Sequence, residues 1–309
     1  MTSMIDALRG GTAETGPGAL AAERRRVADF VSLTKPRVVL MVIVTALVGY
    51  YLGTIGELDS LGLLHTLLGM AMAAGGTLAL NQFLERDLDA RMHRTRNRSL
   101  PGGRLQPREA LIFAGLTTAF GLAYLLVAVG VAVALVTAVI SALYLGAYTP
   151  LKRVTPLCLV IGAVPGALPP VAGWVAARGE LGVGAGVLFT ILFLWQWPHT
   201  LAIAWLHRED YARGGVRVLP ATDPEGRRTA CQIVGGCLAL QVVSVVPTLI
   251  GLAGPAYLVG ALTLGAGFLA CAIALARAPS GPAARRAVLA SVVYLPLLLA
   301  LMALDKVGS

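Results

Sequence analysis

Nine apolar runs, each close to the length of a membrane span, decide what this 309-residue chain can become. A helix rises about 1.5 Å per residue, so about 20 apolar residues cross the hydrocarbon core of a bilayer. The runs fall at roughly 38–54, 61–84, 110–128, 130–149, 157–176, 182–206, 230–250, 255–276 and 287–304. They are too long for barrel strands and lack a period-two alternation, so their backbone must be satisfied inside helices. The expected fold is an all-α integral membrane protein with about nine transmembrane helices. Charged residues make up 13% of the chain, against about 25% in soluble domains, too few to coat a soluble globule of this size. The net charge of +9 therefore implies no nucleic-acid partner; the expected partner is the lipid bilayer.

The position of the charge carries more information than its amount. Of the 25 Lys and Arg residues, 23 fall in the N-terminal segment and in alternate loops; only Arg178 and Lys306 lie on the opposite side. By the positive-inside rule the N-terminus and the charged loops are cytoplasmic, or face the matrix in an organelle. A multi-pass protein of the cell membrane is expected, with its chemistry at the cytoplasmic face. Residues 1–28, rich in Gly, Ala and Arg, read as a disordered tail, and residues 29–309 as a single transmembrane domain. The tail shows no secretory-signal pattern, and Asp6, Glu14 and Glu23 argue against a transit peptide. Cys158, Cys231, Cys237 and Cys271 sit in or beside apolar spans without C-x-x-C spacing, as buried small hydrophobes do.

Two long loops on the basic side carry acids at helical spacing. The first runs Asn81-Gln-Phe-Leu-Glu85-Arg86-Asp87-Leu-Asp89, followed by Arg91, Arg94, Arg96 and Arg98. At about 100° per residue, Asn81, Glu85 and Asp89 fall within about 80° of one another, and Asp87 points elsewhere. Three oxygen-bearing side chains on one face suit Mg²⁺, which takes one or two carboxylates and fills its shell with phosphate oxygens and water. The same spacing also describes a solvated helix end whose acids pair with neighbouring arginines. The arginine run favours the metal reading, because guanidinium forks beside a metal make a receptor for a polyphosphate. The second loop holds His199, His207, Glu209 and Asp210 after Trp197-Pro198. His199 and Asp210 are eleven residues apart, about 20° in helical projection, and so are expected to line one cavity. Tyr148 and Lys152 mark a third turn at the same rim. None of the runs carries Asp, Glu, Lys or Arg near its middle, which argues against a coupled transporter and suits a receptor for an amphiphile.

These motifs resemble the UbiA superfamily of intramembrane prenyltransferases over about residues 28–305. The resemblance rests on Leu33-Thr34-Lys35-Pro36-Arg37, Asn81 to Arg98, Tyr148 to Arg153, the Gly- and Pro-rich stretch Gly162 to Pro170 with Gly173-Trp174, and Trp195 to Pro220. The Pro198-His199 pair, the Arg208-to-Gly215 segment and the Gly162–Pro170 stretch are closer to the branch that prenylates heme. The family's first motif is usually Asn-Asp-x-x-Asp-x-x-x-Asp; Gln82 and Glu85 replace its first two aspartates here, and only Glu209 and Asp210 remain in the second. Ser99 stands where Pro is frequent and Cys158 where Asn is.

The resemblance implies nine helices around a central cavity, with farnesyl diphosphate and heme b as substrates. It implies Mg²⁺ as cofactor, on Asn81, Glu85 and Asp89 with help from Glu209 and Asp210. Asn81, Glu85, Asp89 and Asp210 would be catalytic, while Lys35, Arg37, Arg94, Arg98, Tyr148 and Lys152 would receive the diphosphate. His199 would anchor heme, as iron ligand or propionate partner. The product would be a hydroxyethylfarnesyl heme, and the sequence leaves open whether it passes to a downstream heme-modifying enzyme or oxidase assembly. A quinone precursor as acceptor, and a transporter or heme carrier, are the alternatives.

Overall fold

The computed structural model describes residues 17–307. Among these residues nine helices are long and apolar enough to span a bilayer: α2 (Pro36–Gly53), α3 (Ser60–Leu84), α5 (Pro107–Ala128), α6 (Val131–Leu151), α7 (Cys158–Arg178), α8 (Val183–Leu206), α10 (Arg227–Leu249), α11 (Pro255–Arg277) and α12 (Gly281–Leu304). Three further α-helices lie outside the spans among the described residues: α1 (Pro17–Leu33) before them, and the short α4 (Arg86–Asp89) and α9 (Arg208–Gly214) at the expected acidic loops. The expected all-α membrane fold is thus the observed one, with span boundaries displaced by at most a few residues, apart from the start of α12.

Neighbouring spans along the chain pack on one another, and α12 returns to touch α2, which closes the row into a ring. Packing in a bilayer gains nothing from apolar burial as such, so close approach depends on small residues. A Cβ at Gly49 would collide with the carbonyl of Pro170, and one at Gly173 with that of Ala46. The α2–α7 contact is therefore backbone against backbone, which accounts for the Gly- and Pro-rich sequence of α7. The two cations outside the basic loops cap the end of α2. Arg178 Nε donates to Gly53 O (2.8 Å), and Lys306 Nζ to Thr54 O (2.8 Å) and Tyr51 O (3.0 Å). Carbonyls at a helix end have no partner inside the helix and favour such donors.

The expected disorder over residues 1–28 is corrected for residues 17–28, which belong to α1; residues 1–16 lie outside the described residues. The helix is held by docking farther along. Phe30 packs on Phe113 with ring centroids 5.1 Å apart, Leu33 is fully buried beside Ala79 and Ala110, and Arg26 pairs with Glu109. Ser99 explains itself here too. Its hydroxyl donates to Asp29 Oδ1 (2.7 Å), which also accepts from Arg104 Nε (2.9 Å), tying the first long loop to α1. Burial works against the Asp29 charge, but these two donors prevail and lower its pKa.

Candidate active site

The chain leaves α3 at Glu85 and turns straight into α4, yet the helical bonding carries through. Glu85 N donates to Asn81 O (2.9 Å) and Asp89 N to Glu85 O (2.8 Å). Asn81, Glu85 and Asp89 therefore keep one face, and all three are buried, while Asp87 points outward. Each meets a cation or its equivalent. Lys152 Nζ donates to both Glu85 oxygens (2.9 and 3.1 Å), Arg98 to Asp89 Oδ2 (2.7 Å), and Lys35 Nζ to Asn81 Oδ1 (3.2 Å). Asn81 Nδ2 in turn donates to Thr149 Oγ1 (3.0 Å).

Glu85 and Asp89 open onto a cavity of about 310 Å³ at the basic rim, lined on its other sides by Lys35, Arg94, Arg98 and Lys152. Four cations against two acids leave the lining net positive, and Arg94 has no ion-pair partner among the described residues. Burial, then repulsion from Arg98 and Lys152, presses the pKa of Lys35 down to about 7, against the pull of Glu85 and Asp89. An arriving anion would favour its charged form. Burial also works against the charge of Lys152, but the neighbouring Tyr148 and Glu85 outweigh it and hold its pKa above the ordinary lysine range. Its ammonium sits 4.2 Å from the centre of the Tyr148 ring.

The tyrosine wall comes from a local defect in α6. Pro150 has no N–H to give to the carbonyl four residues back, and Thr149 bonds instead to Tyr144 O, five back, so residues Leu143–Tyr148 widen into a π-helix. That turn sets the Tyr144 and Tyr148 rings 5.2 Å apart against the cavity. A side chain at Gly162 would run into the Tyr148 ring. Below the rim a second, apolar cavity of about 120 Å³ shares Val38 and Tyr144 with the first and continues past Val42, Met70, Ile140 and Pro169. A charged cavity thus lies beside an apolar one.

Of the expected residues, Glu85, Asp89, Lys35, Arg94, Arg98, Tyr148 and Lys152 line the cavity, and Asn81 is bonded to Lys35 beside it; Arg37, Glu209, Asp210 and His199 do not line it. Arg37 lies two residues beyond Lys35, about 200° around α2, and is exposed. Glu209 is on the outer side of α9, 78% exposed. Asp210 accepts the backbone N–H groups of His93 and Arg94 (3.2 Å each) and pairs with Arg213. The Arg213 guanidinium and those N–H groups lower its pKa against a burial effect that raises it. It staples α9 to the first loop and so holds Arg94 in place.

The expectation that His199 and Asp210 share a cavity fails because the helix breaks at His207 (φ −113°). His199 faces α12. It stacks on Trp195 (4.5 Å), and its Nδ1 lies 2.7 Å from Ser291 Oγ. Ser291 Oγ also lies 2.6 Å from Val288 O, an arrangement that suits the Nδ1–H tautomer, and Nε2 has no hydrogen-bond partner among the described residues. Sequence reasoning missed Tyr144, Tyr211 and Thr200, which also line the cavity. For Tyr144 the signal was present in its four-residue spacing from Tyr148.

Comparison with known proteins gives the family and the fold. Residues 42–299 match the model of the UbiA prenyltransferase family. The chain is 45% identical to the protoheme IX farnesyltransferase of Solibacter usitatus, over 91% of this chain and 99% of the relative. It is 42% identical to that of Koribacter versatilis, over 90% and 93%. Among solved structures, a digeranylgeranylglyceryl phosphate synthase superposes with a TM-score of 0.76 at 16% identity, over 91% of this chain and 98% of that one. A UbiA homologue from Archaeoglobus fulgidus bound to GPP and Mg²⁺ superposes with a TM-score of 0.61 at 15% identity, over 89% and 99%. At those identities the structures attest the fold.

Proposed function

The chain belongs to the UbiA prenyltransferase family, and from that premise we propose that its rim cavity binds the diphosphate of farnesyl diphosphate while the apolar space below receives the tail. The activity is farnesyl transfer to protoheme IX, giving heme O. The observation that carries the site assignment is the pairing of two buried carboxylates with cavity cations, Glu85 with Lys152 and Asp89 with Arg98, directly above an apolar chamber.

The donor set fits a divalent metal of the Mg²⁺ type: two buried carboxylates, both hard ligands, face space for phosphate oxygens. Glu85 and Asp89 would hold it, with Asn81 adjacent, and when bound it supplies positive charge to the diphosphate. Asp210 and Glu209 fall out of the ligand set on their positions, Asp210 keeping the role of a staple. Lys35, Arg94, Arg98 and Lys152 stabilise the charge that grows on the leaving diphosphate as the allylic C–O bond breaks. Preplaced cations favour that late charge over the ground state. The apolar walls keep bulk water from the farnesyl cation until a vinyl group of the heme attacks it. Water then completes the hydroxyethylfarnesyl side chain. The basic face, with 23 of the 25 cations, is proposed to be cytoplasmic in the cell membrane.

Stripping divalent metal with EDTA is expected to lower diphosphate release from farnesyl diphosphate and heme by at least about a hundredfold, with Mg²⁺ restoring it. Turnover that survives chelation would remove the metal from the proposal. His199 is proposed to meet heme through its free Nε2, apart from the diphosphate site. His199→Ala should then alter the absorbance of bound heme while the KM for farnesyl diphosphate stays within about twofold. An unchanged heme spectrum would take it out of the heme site.

A further inference from the structure

Lys35 is the only non-glycine residue with a positive φ among the described residues, at φ 50° and ψ 67°. It also precedes Pro36, whose ring keeps the residue before it out of the right-handed helical region. A lysine has no side chain that stabilises the left-handed conformation locally, so the surroundings must impose it. Two consecutive residues of α3 do so. Asn81 Oδ1 accepts the Lys35 ammonium (3.2 Å), and Gln82 Nε2 donates to Leu33 O (2.8 Å), with Ser32 O at 3.5 Å. Gln82 is 4% exposed and does not line the cavity, so it has no direct path to substrate. It grips the chain two residues ahead of the strained position, between fully buried Leu33 and the proline that starts α2.

We propose that Gln82 is a positioning residue, whose amide clamps the Leu33 carbonyl and thereby fixes the α1–α2 turn so that Lys35 delivers its ammonium to the diphosphate cavity. An aspartate at this position would be anionic and could not donate to the carbonyl. The amide that stands here in place of the motif's usual aspartate supplies that donor. The inference rests on the reading that Lys35 contacts the diphosphate, and the test separates the two.

Gln82→Leu, Lys35→Met and the double variant are compared in detergent-solubilised full-length protein by initial rates at varied farnesyl diphosphate and varied heme. Gln82→Leu should lower kcat/KM for farnesyl diphosphate about tenfold with the KM for heme unchanged, and by less than about twofold when Lys35→Met is already present. Equal losses in both backgrounds would overturn the positioning role. No loss from Lys35→Met alone would instead refute the diphosphate contact beneath it. Gln82→Met, closer in length, runs through the same cycle if the leucine variant shows no thermal transition. Loss of folding in both would count against the proposal, since a clamp acting only through Lys35 leaves the fold standing.

Discussion

Asp89→Asn is expected to lower turnover about a thousandfold while leaving the protein inserted and folded. One unit charge pair at about 4 Å in an effective dielectric of about 20 is worth about 4 kcal/mol, and each 1.36 kcal/mol of barrier is about a factor of ten. Asp89 is 2% exposed and faces the cavity with one oxygen on Arg98, so removing its charge alters both the metal ligand set and the orientation of that guanidinium. The backbone carbonyl of Asp89, which accepts the Thr95 hydroxyl at 2.8 Å, is untouched, so the loop should stay in place. The loss should fall mainly on kcat, because the charge is needed most as the leaving diphosphate separates. Rates within about tenfold of wild type, measured in membranes with the variant at wild-type level, would remove Asp89 from the reaction.

Lys152→Met should be the more damaging change to the protein itself. Lys152 and Glu85 are 16% and 9% exposed at their side chains, and their bond is bidentate. Removing one partner of a buried pair strands the other charge, at a cost of about 3–5 kcal/mol. Adding Glu85→Gln in the same chain removes the stranded charge and should recover most of the thermal stability. Turnover should not recover, since both a diphosphate cation and a metal ligand are then gone. Stability unaffected by Lys152→Met would mean that water reaches Glu85 and screens it.

The membrane fold was legible because a bilayer permits few solutions: run length and the placement of charge predict nearly every span. The face shared by Asn81, Glu85 and Asp89 was legible for the same reason, since helical bonding crosses the break at Glu85 and preserves the angular spacing. Where the helical assumption fails, the reading fails with it. The break at His207 turns α9 aside and parts Asp210 from His199. The α1 helix escaped notice because its Ala- and Arg-rich start carries no apolar period; contacts of Phe30 and Arg26 with residues more than 80 positions away hold it. Gln82 and Ser99 make their bonds 49 and 70 residues away, with the turn before α2 and with α1, and spacing along one helix contains no trace of either.

The most direct test of the account is chromatography of heme extracted after purified protein is incubated with heme b, farnesyl diphosphate and Mg²⁺. A later-eluting heme is expected, heavier by a farnesyl group and one hydroxyl, formed in step with diphosphate. Unmodified heme recovered alongside prenylation of an aromatic acceptor, or no diphosphate release at all, would contradict it.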